Sequence, residues 1–307
     1  MRSVLAADLG GTKCRFALVG EDFGVHGVQH IPTSQNLEQF LDAADRAFDA
    51  SRAGRPSDLQ EPTAIGVGLA GLIVNDGREV FGAPNMPLDG FALADHLEKR
   101  HGLEVALLND GRASAWGEYL RGHARGRDPL LALFFGTGIG IGLMVEGRPY
   151  RGASSAAGEI GHTMHKPGGR TCSCGQPGHY EAYCGGRPMV ERAAAEIGPL
   201  PEDRAWDVGE ICHRAEDDHR ARQILDDAET AATAMVASAC TLLNPSAVVL
   251  GGGVLSGWPQ LREKIETFTR KTCTTVVTRK LAFYPSQGGS DAILWGAAAA
   301  TGRLWPS

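Results

Sequence analysis

The side chains with the clearest chemistry lie in one short segment, residues 158–181, which reads GEIGHTMHKPGGRTCSCGQPGHYE. Within it, His162, Cys172, Cys174 and His179 follow one another at intervals of 10, 2 and 5 residues. Tetrahedral Zn²⁺ in proteins takes four thiolate and imidazole ligands of this kind. The many glycines of the segment allow the chain to fold tightly around an ion. We therefore predict a zinc site made of these four residues.

Two other interpretations of this segment stay open. His165 and Cys184 are competing ligands, and a polar loop with coincidental thiols would hold no metal. The Cys-x-Cys spacing is also less usual than the Cys-x₂-Cys spacing of zinc sites. If four protein ligands surround the ion, no position remains for an activating water. The predicted zinc is therefore structural.

Two similar glycine turns separate apolar strands in the two halves of the chain. Residues 4–19 read VLAADLGGTKCRFALV, and residues 130–145 read LLALFFGTGIGIGLMV. Such a repeat indicates a duplicated lobe. Backbone N–H groups of glycine turns converge on anionic oxygens, because no side chain blocks the approach. We expect the two turns to bind one polyphosphate.

Charged side chains adjoin the first turn. Asp8 ends the strand before it, and a carboxylate next to phosphates repels them unless a cation lies between. Asp8 is therefore a candidate partner of Mg²⁺, directly or through water. The alternative is an aspartate that caps the turn. Lys13 adds positive charge for the phosphates, or else is a solvated surface lysine.

A second carboxylate, Asp110, follows Asn109 at the end of a predicted strand over residues 104–110. Ligands of open α/β sheets bind where the strands end. A carboxylate there can accept a proton from an attacking hydroxyl group. The alternative is that Asn109-Asp110-Gly111 forms a turn and a helix cap.

The elements that carry these residues alternate. Helical spacing of apolar residues predicts helices over 36–53, with Asn36 as N-cap, and over 226–243. Buried strands are predicted over residues such as 63–71. The alternation predicts an α/β fold. We expect lobes of 1–110, completed by a C-terminal helix over 290–307, and 111–289, joined by a short hinge with a cleft between them.

Composition excludes several classes of protein. The chain has 307 residues, 43% hydrophobic and 21% charged, with a net charge of -6. No basic run indicates nucleic-acid binding, and no segment has the roughly 18 apolar residues of a membrane span. The chain has seven cysteines, an odd count, and four of them are scattered, as is typical of thiols in a reducing compartment rather than of disulfides: Cys14, Cys212, Cys240 and Cys273. We expect a cytoplasmic enzyme.

The chain resembles the ROK (repressor, open reading frame, kinase) sugar kinases, members of the actin and hexokinase superfamily. The resemblance spans nearly the whole sequence. Its motifs are DLGGTK at 8–13, GLAG at 68–71, APNMPL at 83–88, LNDGRA at 108–113, GTGIGIG at 136–142, GEIGH at 158–162, CSCGQPGHYE at 172–181 and VVLGGGV at 248–254.

The resemblance implies the two-lobed actin-like ATPase (ribonuclease H-like) fold, with the active site in the cleft and a zinc-bound loop over 158–184. It implies Asp110 as the base that deprotonates the 6-hydroxyl of the sugar. It implies nucleotide contacts from Gly10, Gly11, Thr12, Lys13, Thr137, Gly138, Gly252 and Gly253. It implies sugar contacts from Gly71, Asn85, Asn109, Glu159, His162 and Glu181. Its zinc is structural and orders the loop that presents Glu159, His162 and Glu181.

The sequence departs from the family pattern at two positions. His179 stands where a third cysteine is usual, which changes the ligand set from Cys₃His to Cys₂His₂. Cys184 stands where many members have serine. If Cys184 binds the ion, one of the four predicted ligands is wrong.

The resulting hypothesis is an ATP- and Mg²⁺-dependent hexose kinase with glucose as the favoured sugar. N-acetylglucosamine, N-acetylmannosamine and fructose are the alternatives, and a homodimer is expected from the resemblance. A different class is a non-catalytic sugar sensor or a regulator. Repressors of the family carry a helix-turn-helix ahead of the first phosphate turn, and only seven residues precede Asp8 here. We therefore expect a regulator, if that is the function, to lack a DNA-binding domain.

Overall fold

The structure is a computed structural model that describes residues 1–83, 85–201 and 204–305. Its strands are β1 (Ser3–Leu9), β2 (Lys13–Gly20), β3 (Val25–Pro32), β4 (Ala64–Leu69), β5 (Leu72–Val74), β6 (Glu79–Phe81), β7 (Glu104–Asn109), β8 (Leu130–Phe135), β9 (Ile139–Val145), β10 (Arg148–Pro149), β11 (Ala247–Gly251) and β12 (Ala282–Pro285). Its helices are α1 (Leu37–Ala53), α2 (Leu93–His101), α3 (Asp110–Arg121), α4 (Glu181–Cys184), α5 (Gly186–Glu196), α6 (Val208–Arg214), α7 (His219–Leu243), α8 (Gly253–Gly257), α9 (Gln260–Thr272), α10 (Thr275–Thr278) and α11 (Asp291–Ala300).

The chain forms two compact units. The first contains residues 1–126, 142–157 and the described part of 287–307. The second contains residues 127–141 and the described part of 158–286. Helix α3 lies in the first unit, whereas the predicted lobes, 1–110 with 290–307 and 111–289, assign it to the second.

The first unit is built on a five-stranded mixed sheet with the order β3-β2-β1-β4-β7. Strands β1, β4 and β7 are parallel, and β2 and β3 are antiparallel to their neighbours. Alternate residues of β1 point to opposite faces. Leu5 and Leu9 pack in one core with Phe40 and Phe48 of α1, and Val4 packs in another core on the side of α11. Helices thus cover both faces of this sheet.

Helix α11 packs very closely in the first unit. A Cβ added to Gly66 of β4 would lie 2.0 Å from the Ala297 carbonyl oxygen, and one added to Gly296 would lie 1.8 Å from that of Ala113. The helix ends at Ala300, before Gly302 with a φ of 65°. The predicted helix over 290–307 is therefore shorter, and its last two positions lie outside the described residues.

In the second unit, strand β11 pairs in parallel with β8 on one side and with β12 on the other. Helices α5, α6, α7 and α9 contribute to a single core with these strands. Helix α7 begins at His219, because Asp218 caps it by accepting the N–H of Arg220 at 2.8 Å. Its last residue is Leu243, as predicted, and Asn244, whose φ is 44°, follows as the C-cap. The predicted α/β class is thus confirmed.

The other helix boundaries follow from local sequence. Asn36 caps α1, since its Oδ1 accepts the N–H of Gln39 at 3.0 Å, which confirms the predicted N-cap. All seven cysteines lie in the described part of the chain and form no disulfide. No helix of residues 1–83, 85–201 and 204–305 is both long and apolar enough to cross a membrane.

Candidate functional site

In the first unit, the predicted functional residues lie at one edge of the sheet. Leu9 of β1 is paired with Leu69 of β4, which is paired with Asn109 of β7. Because these strands are parallel, their carboxyl ends lie side by side. The chain segments that follow them carry the first glycine turn, Gly71 and Asp110. The edge where ligands bind α/β sheets is thus the edge that carries these polar residues.

The first glycine turn offers unpaired backbone donors. Among the described residues, no protein acceptor is paired with the N–H groups of Gly10, Gly11 and Thr12. The turn adjoins a cavity of about 300 Å³. Asn85 lies against the turn, since a Cβ added to Gly11 would be 2.5 Å from the Cβ of Asn85. These N–H groups can therefore bind an anion, as the sequence predicts.

The carboxyl group of Asp8 lines the same cavity. Burial, followed by the negative charge of Asp110, raises the pKa of Asp8 from its ordinary value of 3.8 to about 7. The positive charges of Arg15 and Lys13 lower the pKa, but their effect is smaller. Mg²⁺ is usually held by one or two carboxylates together with substrate phosphates. Burial and a nearby negative charge disfavour the ionised form of Asp8, which lies beside a turn that can bind an anion. Asp8 therefore fits a Mg²⁺ ion that binds together with phosphates.

Asp110 is half-buried at the first position of α3. Its Oδ1 accepts the N–H of Gly111 at 2.7 Å and an N–H of the Asn109 side chain at 3.1 Å. Asn109 also donates to the carbonyl oxygen of Gly71 at 3.1 Å, and its Oδ1 caps α3 by accepting the N–H of Arg112 at 3.3 Å. The helix cap that the sequence suggested therefore exists, and it fixes the orientation of Asp110.

Three residues that the sequence analysis missed also line this cavity, namely Arg15, His30 and Ser290. Arg15 is paired with His30 across β2 and β3. Its guanidinium donates to the Ser290 hydroxyl at 3.0 Å and lies 2.6 Å from a carboxylate oxygen of Asp291. The Ser290 hydroxyl thus accepts a hydrogen bond from Arg15, and the Ser290 side chain makes no capping hydrogen bond to α11. Alternation along β2 could have revealed Arg15, because it lies two residues after Lys13 on the same face.

In the second unit, the second glycine turn connects β8 and β9. The N–H groups of Thr137 and Gly138 are paired with no acceptor in the described part of the chain. Gly252, which ends β11 next to β8, has a φ of 99°. A Cβ added there would lie 2.4 Å from the Phe135 carbonyl oxygen. The structure thus places Gly252 against the end of β8, directly before the second glycine turn.

The predicted sugar contacts of the second unit are grouped around His162. The Nε2 atom of His162 lies 3.9 Å from a carboxylate oxygen of Glu159. Its Nδ1 atom lies 3.5 Å from the sulfur of Cys172. Glu181, which is 7% exposed, begins α4. One imidazole ring therefore joins the Cys/His cluster to a carboxylate that is exposed at the surface.

The four predicted zinc ligands form one cluster. The ligand atoms of His162, Cys172, Cys174 and His179 all lie within 4.8 Å of one another. The sulfur of Cys174 lies 3.2 Å from Nδ1 of His179. Bonds of about 2.3 Å to sulfur and 2.0 Å to nitrogen, at tetrahedral angles, would place these atoms roughly 3.5 Å apart. The two S–N distances, 3.5 and 3.2 Å, fit a Zn²⁺ ion.

The two competing ligands lie outside this cluster. Cys184 is fully buried, and its sulfur donates to the Tyr180 carbonyl oxygen at 3.3 Å. Burial strongly raises the pKa of its thiol, which disfavours the thiolate that a metal requires. His165 packs against the rings of Tyr180 and Tyr183, and burial lowers its pKa. Of the alternatives that the sequence left open, the geometry favours the four predicted residues.

Comparison with known proteins identifies the family. Residues 4–303 match the ROK family. The chain belongs to the ROK family. The resemblance drawn from the sequence motifs is therefore confirmed.

Relatives within the ROK family include sugar kinases. The chain is 32% identical over 267 residues to a glucokinase of Streptomyces coelicolor, which covers 83% of each chain. It is 30% identical over 258 residues to an N-acetylmannosamine kinase of Escherichia coli, covering 82% of this chain and 83% of the relative.

A solved ROK structure has the same fold. The ROK family glucokinase of Streptomyces griseus, in complex with glucose and AMPPNP, is 29% identical, with a TM-score of 0.80 over 97% of this chain and 98% of that one. This similarity shows the two-lobed fold of actin-like ATPases, which confirms the predicted fold class.

Proposed function

We propose that the protein is an ATP-dependent sugar kinase that transfers a phosphoryl group to the 6-hydroxyl of a hexose. This proposal rests on the residues found together at one edge of the sheet in the first unit. There, Asp8, Asp110 and the acceptor-free N–H groups of the first glycine turn are gathered at the ends of parallel strands. Membership of the ROK family, with kinases among its relatives, supports the same activity.

Asp110 is the proposed base. Its Oδ1 is held by Gly111 and Asn109, so its orientation is set before a substrate arrives. A carboxylate in this position takes the proton of the sugar hydroxyl as the hydroxyl attacks phosphorus. Such a positioned base contributes about 10²- to 10⁴-fold to a rate.

The glycine turns are the proposed phosphate ligands. Each presents N–H groups that have no acceptor among the described residues. Lys13 and Arg15 add positive charge beside the first turn. Asp8 would hold Mg²⁺, which when bound neutralises charge on the phosphates. Gly252 and Gly253 are the proposed contacts of the nucleoside.

The sugar contacts that we propose form two groups. Gly71, Asn85 and Asn109 belong to the first unit, and Glu159, His162 and Glu181 belong to the second unit. In the second unit, a structural Zn²⁺ on the Cys/His cluster would fix the ring of His162, because Nδ1 would bind the ion and leave Nε2 available.

Glucose is the proposed sugar. The S. coelicolor and S. griseus relatives are glucokinases, whereas the E. coli relative is an N-acetylmannosamine kinase. N-acetylhexosamines and fructose are therefore the alternatives to test. Assays of phosphorylation on a panel of hexoses and N-acetylhexosamines with MgATP decide between these sugars, with the product identified by ³¹P NMR. Binding of a sugar without turnover of any would favour the non-catalytic sensor.

Replacement of Asp110 tests the proposed base. Asp110→Asn keeps the size of the side chain but removes its basicity. We expect kcat to fall by about 10²- to 10⁴-fold, with a small change in the Kd of the sugar. The control is Asp42→Asn, which changes an exposed residue of α1 in the same unit. Near-normal turnover of the Asp110 variant would refute the assignment.

A further inference from the structure

The carboxylate of Glu181 joins two segments that are distant in sequence. Its Oε2 accepts the N–H of Ile139 at 2.9 Å, and its Oε1 accepts the hydroxyl of Ser173 at 2.7 Å. Ile139 directly follows the second glycine turn, and Ser173 lies between the cluster residues Cys172 and Cys174. The carboxylate is almost completely buried, so its oxygens need hydrogen-bond donors from the protein; the sulfur of Cys172 also lies 3.7 Å from Oε1.

The contact with the glycine turn is close. A Cβ added to Gly138 would lie 2.4 Å from Oε2 of Glu181, so a larger residue at this position would displace the carboxylate. The other side of the turn is held by the start of α5. Gly186 donates its N–H to the Gly136 carbonyl oxygen at 2.9 Å, and Arg187 donates to that of Thr137 at 3.0 Å. The turn is therefore fixed between Glu181 and α5.

These bonds also determine which N–H groups remain for a ligand. The Ile139 N–H is used by Glu181, and those of Thr137 and Gly138 have no acceptor in the described chain. Movement of Glu181 would leave the Ile139 N–H unpaired and release one side of the turn. The position of Glu181 in turn depends on Ser173, and thus on the order of the Cys/His loop, residues 162–179.

We propose that Glu181 is a positioning residue through which the metal-bound Cys/His loop orders the phosphate-binding turn at Gly136–Gly138. The identity of the ligand, a nucleotide, rests on the proposed function. The connection between the two segments does not. Occupancy of the metal cluster then controls nucleotide affinity, in addition to any effect on the sugar. If Glu181 contacted only the sugar, occupancy of the metal cluster would not change nucleotide affinity.

Ser173→Ala tests the connection, since it removes one donor to Glu181 but no candidate metal ligand. We expect the Kd for AMPPNP, measured by calorimetry without sugar, to rise about 3- to 10-fold, the range for loss of one hydrogen bond. The zinc content of the protein should be unchanged. Ser173→Thr, which keeps the hydroxyl, should restore AMPPNP binding.

The matched control is Thr171→Ala, because the exposed Thr171 hydroxyl of the same loop makes no side-chain hydrogen bond within the described residues. Its AMPPNP affinity should equal that of the wild type. Removal of the metal should weaken AMPPNP binding in the wild type but add little in Ser173→Ala, because both changes act through one contact. An unchanged AMPPNP Kd in a Ser173→Ala variant with full zinc content would overturn the proposal.

Hydrogen exchange of the Ile139 amide gives a second readout that requires no ligand. Its exchange should become at least about tenfold faster after metal removal, and faster in Ser173→Ala than in Thr171→Ala. Equal exchange in all these samples would also overturn the proposal. A wild-type protein that binds no AMPPNP but shows the predicted change in exchange would contradict the proposed function and leave the connection intact.

Discussion

Asp8 carries a carboxyl group whose ionisation the fold disfavours. Burial, and then the charge of Asp110, raises its pKa to about 7. A raised pKa means that the folded state favours the protonated form of Asp8 over its ionised form. A carboxyl group of this kind is suited to a cation that arrives with the substrate, because the cation would favour the ionised form.

This raised pKa predicts how stability depends on pH. Between pH 3.8 and about 7, the unfolded chain loses the Asp8 proton before the folded protein does, so the contribution of Asp8 to stability falls as pH rises. The difference between the two pKa values of Asp8 corresponds to at most about 4 kcal/mol in the free energy of unfolding. Asp8→Asn should remove this unfavourable contribution. The free energy of unfolding of the variant should therefore exceed that of the wild type from pH 5 to pH 8. Urea unfolding at several pH values, without Mg²⁺ or nucleotide, measures this gain.

The control for Asp8 is Asp42→Asn, an exposed site on α1 where no gain is expected. Wild type and Asp8→Asn curves that stay parallel over the whole pH range would contradict the prediction.

At the scale of single residues, the sequence identifies ligands that are close together in the chain. The four members of the metal cluster fall within 18 residues, so their proximity required no knowledge of the tertiary fold. Arg15 and Ser290 are 275 residues apart, and only the packing of α11 against the first sheet brings them into one cavity. The donor Ile139 was missed for the same reason, since it is a backbone N–H of β9, 42 residues before Glu181.

Among the elements, α3 has a buried carboxylate that connects it to the chain before α11. The Oε1 atom of Glu118 accepts the N–H groups of Gln287 and Gly288 at 2.9 and 2.8 Å. The side chain is completely buried. Since the segment after Gly288 carries Ser290, which lines the first cavity, this contact helps to position one side of that cavity.

Removal of this carboxylate should destabilise the first unit. Glu118→Ala leaves two N–H groups without their acceptor and creates a cavity, and we expect a loss of about 2 to 4 kcal/mol. Glu118→Gln keeps one oxygen acceptor and should lose less. Thermal unfolding of both variants, with the exposed Glu38→Ala as control, measures the effect. A Glu118→Ala protein as stable as the control would show that the contact has little energetic value.

Most elements could be predicted from local sequence, and their boundaries depended on caps. Asn36, Gly102 and Asn244 set helix ends that the sequence indicates, since an N-cap oxygen and left-handed residues have local causes. The start of α7 at Asp218 and the early end of α11 were missed. The division into two units was more difficult to predict from the sequence. The unit to which α3 belongs depends on its tight packing against α11 and not on any local signal.

At the scale of the whole molecule, the metal cluster is the clearest candidate for a part that needs a ligand to fold. The Cys/His loop has few regular elements, and Cys174 is exposed. Its backbone is joined by bridges such as Met164 with His179. Four converging ligands without an ion would leave two thiols and two imidazoles close together with no common partner. We therefore expect that a metal bound by this cluster contributes to folding of the second unit.

Removal of the metal should lower the thermal stability of the protein. We expect about one zinc ion per chain by elemental analysis, and a fall in Tm of about 5 to 15 °C after chelation, since each kcal/mol shifts Tm by about 2 to 4 °C in a chain of this size. Burial raises the pKa of the Cys172 thiol, and binding requires the thiolate, so zinc affinity should increase with pH. Cys174→Ser should lose zinc, whereas Cys212→Ser, a half-buried thiol outside the cluster, should keep it. A zinc-free preparation with the Tm of the untreated protein, or equal zinc loss in both variants, would show that this cluster does not hold a structural ion.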